Sequence, residues 1–113
     1  MREIKFRAFC KRRKTMEYFS SLYWFEENMV DEADNYEYII EQYTGLKDTE
    51  GKEIYEGDLL SRGEEYRDVE VQFRSACFWV GLLPLYQEVR HLKVVGNIHE
   101  NKEPTVSNSQ SRR

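Results

Sequence analysis

Apolar and polar residues alternate with a period of two in several short runs of this chain, which is the pattern of a strand with one covered face. In the run Ile4 to Phe9, Ile4, Phe6 and Ala8 fall on one face and Lys5, Arg7 and Phe9 on the other. Thr15 to Phe19 reads as the return strand of a hairpin, with Lys11, Arg12, Arg13 and Lys14 as its solvated loop. The clearest alternation is Val69, Val71 and Phe73 against Glu70, Gln72 and Arg74. Ser75 and Ala76 then turn the chain into a second apolar strand over Cys77 to Gly81. Asp58 to Ser61 and Leu92 to Ile98 complete the set, with Gly96 and Asn97 bending the last strand. Pro84 ends the strand before it, because proline has no N–H for a ladder, and Gln87 to Arg90 reads as a polar link.

Two turns organise the middle of the chain, between Tyr43 and Leu60. In the first, Asp48-Thr49-Glu50-Gly51, the aspartate accepts from the backbone two residues on and Gly51 supplies a left-handed residue. In the second, Tyr55-Glu56-Gly57-Asp58, Gly57 has the same task. Gly45, Asp48, Gly51, Gly57, Asp58, Gly96 and Asn97 are therefore read as residues of backbone geometry, not of substrate binding. The region from residue 20 to residue 42 stays open. Leu22, Tyr23, Trp24 and Phe25 suit a strand, a short helix or an interface, and Glu26 to Asp34 is an acidic loop or helix start. Tyr36, Ile39, Ile40 and Tyr43 share a helix face, whereas Tyr36, Tyr38 and Ile40 share a strand face.

Short strands with regular turns predict a mainly β fold, α+β at most: a small curved sheet or partial barrel. An N-terminal hairpin and an aromatic-rich irregular or short helical segment would fill residues 1–42. A barrel-like unit would occupy 43–101, and a Ser- and Asn-rich tail over 102–113 would be disordered.

Composition narrows the setting. With 113 residues, 40% of them apolar and 14% aromatic, the chain can bury the core of one small domain. A net charge of −4 argues against a general coat for nucleic acid. No apolar run has the length of a membrane span and no signal-like segment opens the chain, which predicts the cytoplasm and no membrane partner. Cys10 and Cys77 are too few for a disulfide framework and are expected to be reduced and buried.

Candidate chemistry is sparse. His91, His99, Cys10 and Cys77 are the soft metal donors, and none stands in a close pair with metal-type spacing, so no metal or other cofactor is expected. The acidic stretch lacks the calcium-loop pattern, and the isolated glycines form no phosphate cradle. Arg2, Lys5, Arg7, Lys11, Arg12, Arg13 and Lys14 form the one set suited to phosphate contact.

The segments IKFRAF from Ile4, TGLKD from Thr44, GKEIYEGD from Gly51 and VVGNIHEN from Val94 resemble the YopX family of phage and prophage proteins. The sequence departs from that pattern at Phe9-Cys10, where a tryptophan and a polar residue are expected. The resemblance implies a C-terminal part similar to a small Src-homology-3-like barrel, a phage setting and homo-oligomers. It implies no catalytic residues. The expected function is thus a non-enzymatic accessory protein, an oligomeric module that binds a protein partner. The alternative is a nucleic-acid-binding module built on the basic hairpin.

Overall fold

The computed structural model describes residues 3–21, 23, 27 and 37–100. It is mainly β, as the alternation predicts. The first sheet contains β1 (Phe6–Cys10), β2 (Thr15–Phe19), β3 (Tyr38–Lys47) and β4 (Glu53–Tyr55), in the order β2-β1-β3-β4. The second contains β5 (Asp58–Ser61), β6 (Val69–Arg74), β7 (Cys77–Val80), β8 (Leu83–Pro84) and β9 (Lys93–Asn97), in the order β8-β7-β6-β5-β9. Every pairing is antiparallel. Among the described residues no helix is long and apolar enough to cross a membrane.

The ambiguous stretch before Tyr43 is settled as strand. β3 runs for ten residues, pairing with β1 through Tyr38–Gln42 and with β4 through Tyr43 and Lys47. Gly45, expected in a turn, instead lies inside this strand at φ 88°, where the register with β4 shifts. A bulge at a residue free to take positive φ lets β3 bend from one partner to the next. The β6–β7 hairpin turns at Ser75 and Ala76, both at positive φ (51° and 61°). That is the hand that matches strand twist, at a cost of about 1–2 kcal/mol for each non-glycine residue. In β9, Leu59 faces Gly96 and Leu60 faces Val94, so the bend expected near Gly96 is a bulge at Val95.

Gln87 to Arg90 is not a link. Leu85–Glu88 forms a short helix, α1, continued by a 3-10 turn over Val89–His91. Pro84 precedes it in extended conformation, and Leu85 and Val89, four apart, turn the same face to the core. That core holds Ile54, Leu60, Val71, Val80, Leu85 and Leu92, with Leu46, Phe78 and Val94 packed around it. A second, smaller cluster joins Ala8 and Phe19 to Phe6 and Tyr38. Cys10 is buried and Cys77 only half-buried, against the expectation that both would be core; of β7 only Val80 is enclosed. Tyr23 and Glu27 are helical and exposed. The 102–113 tail lies outside the described residues, as do Arg2, Leu22, Trp24, Phe25, Tyr36 and, apart from Glu27, the acidic stretch Glu26 to Asp34.

Asp48 does more than start its turn. Its Oδ1 accepts from the N–H of Glu50 (2.8 Å) and of Lys52 (2.9 Å), as the turn chemistry requires. Its Oδ2 accepts from the N–H of Val94 (2.8 Å), tying the β3–β4 hairpin to β9. Burial raises this carboxyl, and the three backbone N–H groups together with Lys52 outweigh it, so the group lies below its ordinary value. Asp48→Ala is expected to lower unfolding free energy by about 2–3 kcal/mol in urea titration, three accepted bonds being lost. Because the folded-state value is depressed, the stabilisation is full above the unfolded aspartate value. It disappears as pH falls through the folded one, so the difference between wild type and Asp48→Asn should shrink on acidification.

Candidate functional site

A cluster of four ionisable side chains sits at the junction of the two sheets. Arg7 on β1, Glu41 on β3 and Asp58 at the start of β5 are each more than nine-tenths buried. The side chain of His99, just beyond β9, is 7% exposed. Arg7 and Glu41 are register partners on neighbouring strands, so sheet pairing alone brings them together. Arg7 Nε donates to Glu41 Oε1 (2.8 Å), Nη1 reaches Asp58 Oδ1 (2.8 Å) and Nη2 donates to the carbonyl of Glu56 (3.1 Å). Asp58 Oδ2 accepts from the N–H of Tyr55 (2.7 Å). His99 Nε2 lies 2.7 Å from Glu41 Oε2. The ring of Tyr55 covers the guanidinium at 5.0 Å.

Each partner is positioned by local backbone. Asp58 ends the turn that Gly57 makes at φ 90°. A Cβ on Gly57 would fall on the Glu41 carboxylate, so glycine is required here for space as well as for conformation. His99 is held by three contacts. Its N–H donates to Asn97 Oδ1 (2.9 Å), the Ile98 N–H donates to the Gly57 carbonyl (3.0 Å), and its ring stacks on Phe9 at 4.4 Å.

Burial would lower Arg7, but Asp58 and Glu41 outweigh it and raise the guanidinium further. Burial pushes the Asp58 carboxyl up, against the Tyr55 N–H and the Arg7 charge. The Tyr55 hydroxyl is pushed up to about 12, first by burial and then by Glu53.

Two hollows flank the turn from Asn97 to Glu100. One of about 270 Å³ is lined by Arg7, Tyr18, Glu53, Tyr55 and Asp58. The other, of about 850 Å³, opens on Phe9, Lys14, Met16 and His99. A histidine oriented by a carboxylate beside a hollow is half of a nucleophile-activating arrangement. The other half is missing among the described residues: no serine, threonine or cysteine side chain bonds to His99. Nor does any group of three or more His, Cys, Asp or Glu among them have metal-binding geometry. Cys10 Sγ accepts from the Arg13 N–H (3.4 Å), and His91 is exposed at the end of the 3-10 turn.

The expected basic set is dispersed. Arg7, expected as a surface phosphate contact, is instead inside the protein, enclosed by Glu41, Asp58 and the ring of Tyr55. Lys5 pairs with Glu53 and Glu3, and Lys11 with Glu37 (3.4 Å). Lys14 closes the hairpin at φ 61°, its N–H on the Cys10 carbonyl (2.8 Å), and lines the larger hollow. Glu41 was not singled out by sequence, and His99 was considered only as a metal donor. The available signal was an aromatic or aliphatic residue two positions from the charge: Phe9 on the face of Arg7, and Ile39 and Tyr43 on either side of Glu41.

The family model described as YopX protein matches residues 5–104. No curated protein matches the chain. The crystal structure of protein EF1440 from Enterococcus faecalis is similar at 25% identity. The match covers 87% of this chain and 94% of that one, with a TM-score of 0.57.

Arg7→Met leaves Glu41 and Asp58 buried without their cation and should cost about 3–5 kcal/mol in urea titration. His99→Gln removes one partner of Glu41 and should cost about 1 kcal/mol. Gly57→Ala should be nearer to Arg7→Met than to His99→Gln, since it strains the backbone and displaces Glu41 together. Equal, small losses in all three would show that the cluster does not hold the sheets.

Proposed function

The chain belongs to the YopX family, and on that footing we propose that it is a phage-like accessory protein that acts by contact, without catalysis, as a self-associating module that docks on a protein partner. The observation that carries this reading is the apolar end of the second sheet. Leu82 is 90% exposed, Tyr86 62%, Phe73 50% and Leu83 45%. They gather about the β7–β8 hairpin and α1, beside a hollow of about 410 Å³ lined by Phe73, Phe78, Leu85 and Tyr86. Scattered apolar residues need no explanation, but a contiguous patch on a chain with 34% charged residues favours an interface. The short edge strand β8 would put this patch at the rim of the sheet, where a second copy has access.

The buried cluster supports the non-catalytic half of the reading. Its oxygens and nitrogens bond to one another and to backbone, which is the arrangement of a structural cross-link. Two free cysteines accord with a reducing compartment, the cytoplasm of a bacterial host. The nucleic-acid alternative has less behind it, since Arg7 is enclosed and Lys5 and Lys11 are paired with carboxylates.

Sedimentation velocity tests the proposal. The wild type should sediment as a dimer or larger at about 10 μM, a concentration that interfaces of standard size readily saturate. Leu82→Glu with Tyr86→Glu should restore the monomer with an unchanged urea midpoint. A wild type that stays monomeric at that concentration, or a double variant that still assembles, would overturn it.

A further inference from the structure

A second groove lies between the two sheets and shares Phe73 with the apolar hollow beside Tyr86. It has a volume of about 440 Å³, and Ile40, Ile98, Phe73, Glu56 and Glu70 are among its walls. Both of its long sides are strand edges. β3 is paired with β1 through Tyr38–Gln42; on its other side the Glu56 N–H donates to the Gln42 carbonyl (2.9 Å) and Glu56 Oε1 accepts from the Gln42 N–H (3.4 Å), so among the described residues that edge lacks a strand neighbour only over Tyr38–Glu41. β6 meets β5 only through Val69 and Glu70, so beyond Val71 that side of it has no strand neighbour among the described residues. Ile40 is 43% exposed, Ile98 46% and Phe73 50%. Open backbone edges with alternate apolar side chains between them are what strand addition uses.

The charges of the groove say which occupant fits. The Gly57 N–H donates to the Val71 carbonyl (2.9 Å), which sets Glu56 and Glu70 on adjacent segments. Both are half-buried, and neither forms an ion pair with a cation among the described residues. Burial raises the Glu56 carboxyl above its ordinary value and the charges of Glu41 and Glu70 add to this, while the Gln42 N–H and the Arg7 charge pull the other way. Arg74, at the other end, is already bonded to Gln72 Oε1 (2.9 Å) and the Gly81 carbonyl (2.7 Å). A second copy joined edge to edge at Ile40 would bring the same acidic wall to both sides of the contact, which like-charge repulsion opposes. A basic strand meets no such opposition.

We propose that this groove is a docking site for an extended, basic segment of a protein partner. The segment adds as a strand to the open edge of β3 at Ile40, lays alternate apolar side chains on Ile40, Phe73 and Ile98, and sets a lysine or arginine against Glu56 and Glu70. The site gives the partner of the accessory module a chemistry: extended, apolar at every second position, and cationic at one end.

The experiment is selection of a random decapeptide display library on the full chain, followed by synthesis of the enriched peptide. Enriched sequences should carry Lys or Arg two or four positions from apolar residues. The peptide should slow amide exchange at Ile40 and at Gln72–Arg74. Glu56→Gln with Glu70→Gln, which removes charge without disturbing the core, should weaken binding about tenfold and flatten its salt dependence. An unenriched library, acidic or uncharged winners, or protection elsewhere would overturn the proposal. So would protection at Ile40 that grows with protein concentration in the absence of peptide, because a second copy would then be the occupant. Self-association through Leu82 and Tyr86 is read by sedimentation alone, so the two proposals fail separately.

Discussion

A guanidinium enclosed in protein cannot remain without partners, and most of what is particular in this fold follows from satisfying the one on Arg7. An isolated buried charge is untenable, and a buried pair is tolerable only when geometry and further hydrogen bonds are good. The planar fork of arginine answers that need. It takes Glu41 on one side, Asp58 on another and a backbone carbonyl at its third nitrogen. Those three partners come from β3, from β5 and from the turn between β4 and β5, so one side chain on β1 fixes both sheets at their junction. Glu41 in turn takes His99, which brings the end of β9 to the same point. Gly57 is a consequence: with Glu41 in place, no larger residue fits.

The same interaction sets register. Arg7 stands opposite Glu41, and Ala8 opposite Ile40. A slip of one residue between β1 and β3 would place Arg7 opposite Ile40 or Gln42 and send Glu41 to the other face. The apolar core between the sheets has no such address. Ile54, Leu60, Val71, Val80, Leu85 and Leu92 contribute burial, which is large but indifferent to which apolar atoms meet. Apolar contact packs Ile54 and Leu46 of the first sheet against the second, and polar contact at Arg7 decides the register in which β1 and β3 meet it. Asp48 repeats the device on a smaller scale, with one oxygen for its own turn and the other for β9.

How much of this could be read from sequence depends on range. Strands with one covered face were legible, because alternation survives where burial is one-sided: Val69 to Arg74 and Asp58 to Ser61 are strands over those residues. The Asp48 and Gly57 turns were legible because their chemistry is local. β1 was misread in part. Its Arg7 face looked polar and solvated, yet β1 is an inner strand with both faces covered, and the alternation there records a buried ion pair. Gly45 gave a turn signal that the structure uses as a bulge, since a residue free to take positive φ serves either purpose. The short helix after Pro84 was missed because four residues are too few to show a period, and only Leu85 and Val89 turn inward. The cluster itself was illegible: its members are spread along the chain from Arg7 to His99, the Glu41–His99 contact alone spans 58 positions, and nothing near His99 in the chain points to Glu41.

Glu41, Glu56, Asp58 and Glu70 show that carboxylates of one small region can end in two conditions. Glu41 and Asp58 are enclosed and matched to cations or N–H groups, so they rigidify the junction and offer nothing outward. Glu56 and Glu70 are half-enclosed and repel each other, which a stability argument alone would not favour. Glu56 has the Gln42 N–H and the Arg7 charge in its favour, and burial still leaves it raised, a cost that glutamine there would avoid. The fold satisfies its innermost charges fully and leaves two at the lip of a groove between strands, which is the feature on which the proposed docking of a basic segment rests. Rigidity at Arg7 and incompleteness at Glu56 then belong to one design, since a groove bounded by two sheets keeps its shape only if the sheets are locked to each other beneath it.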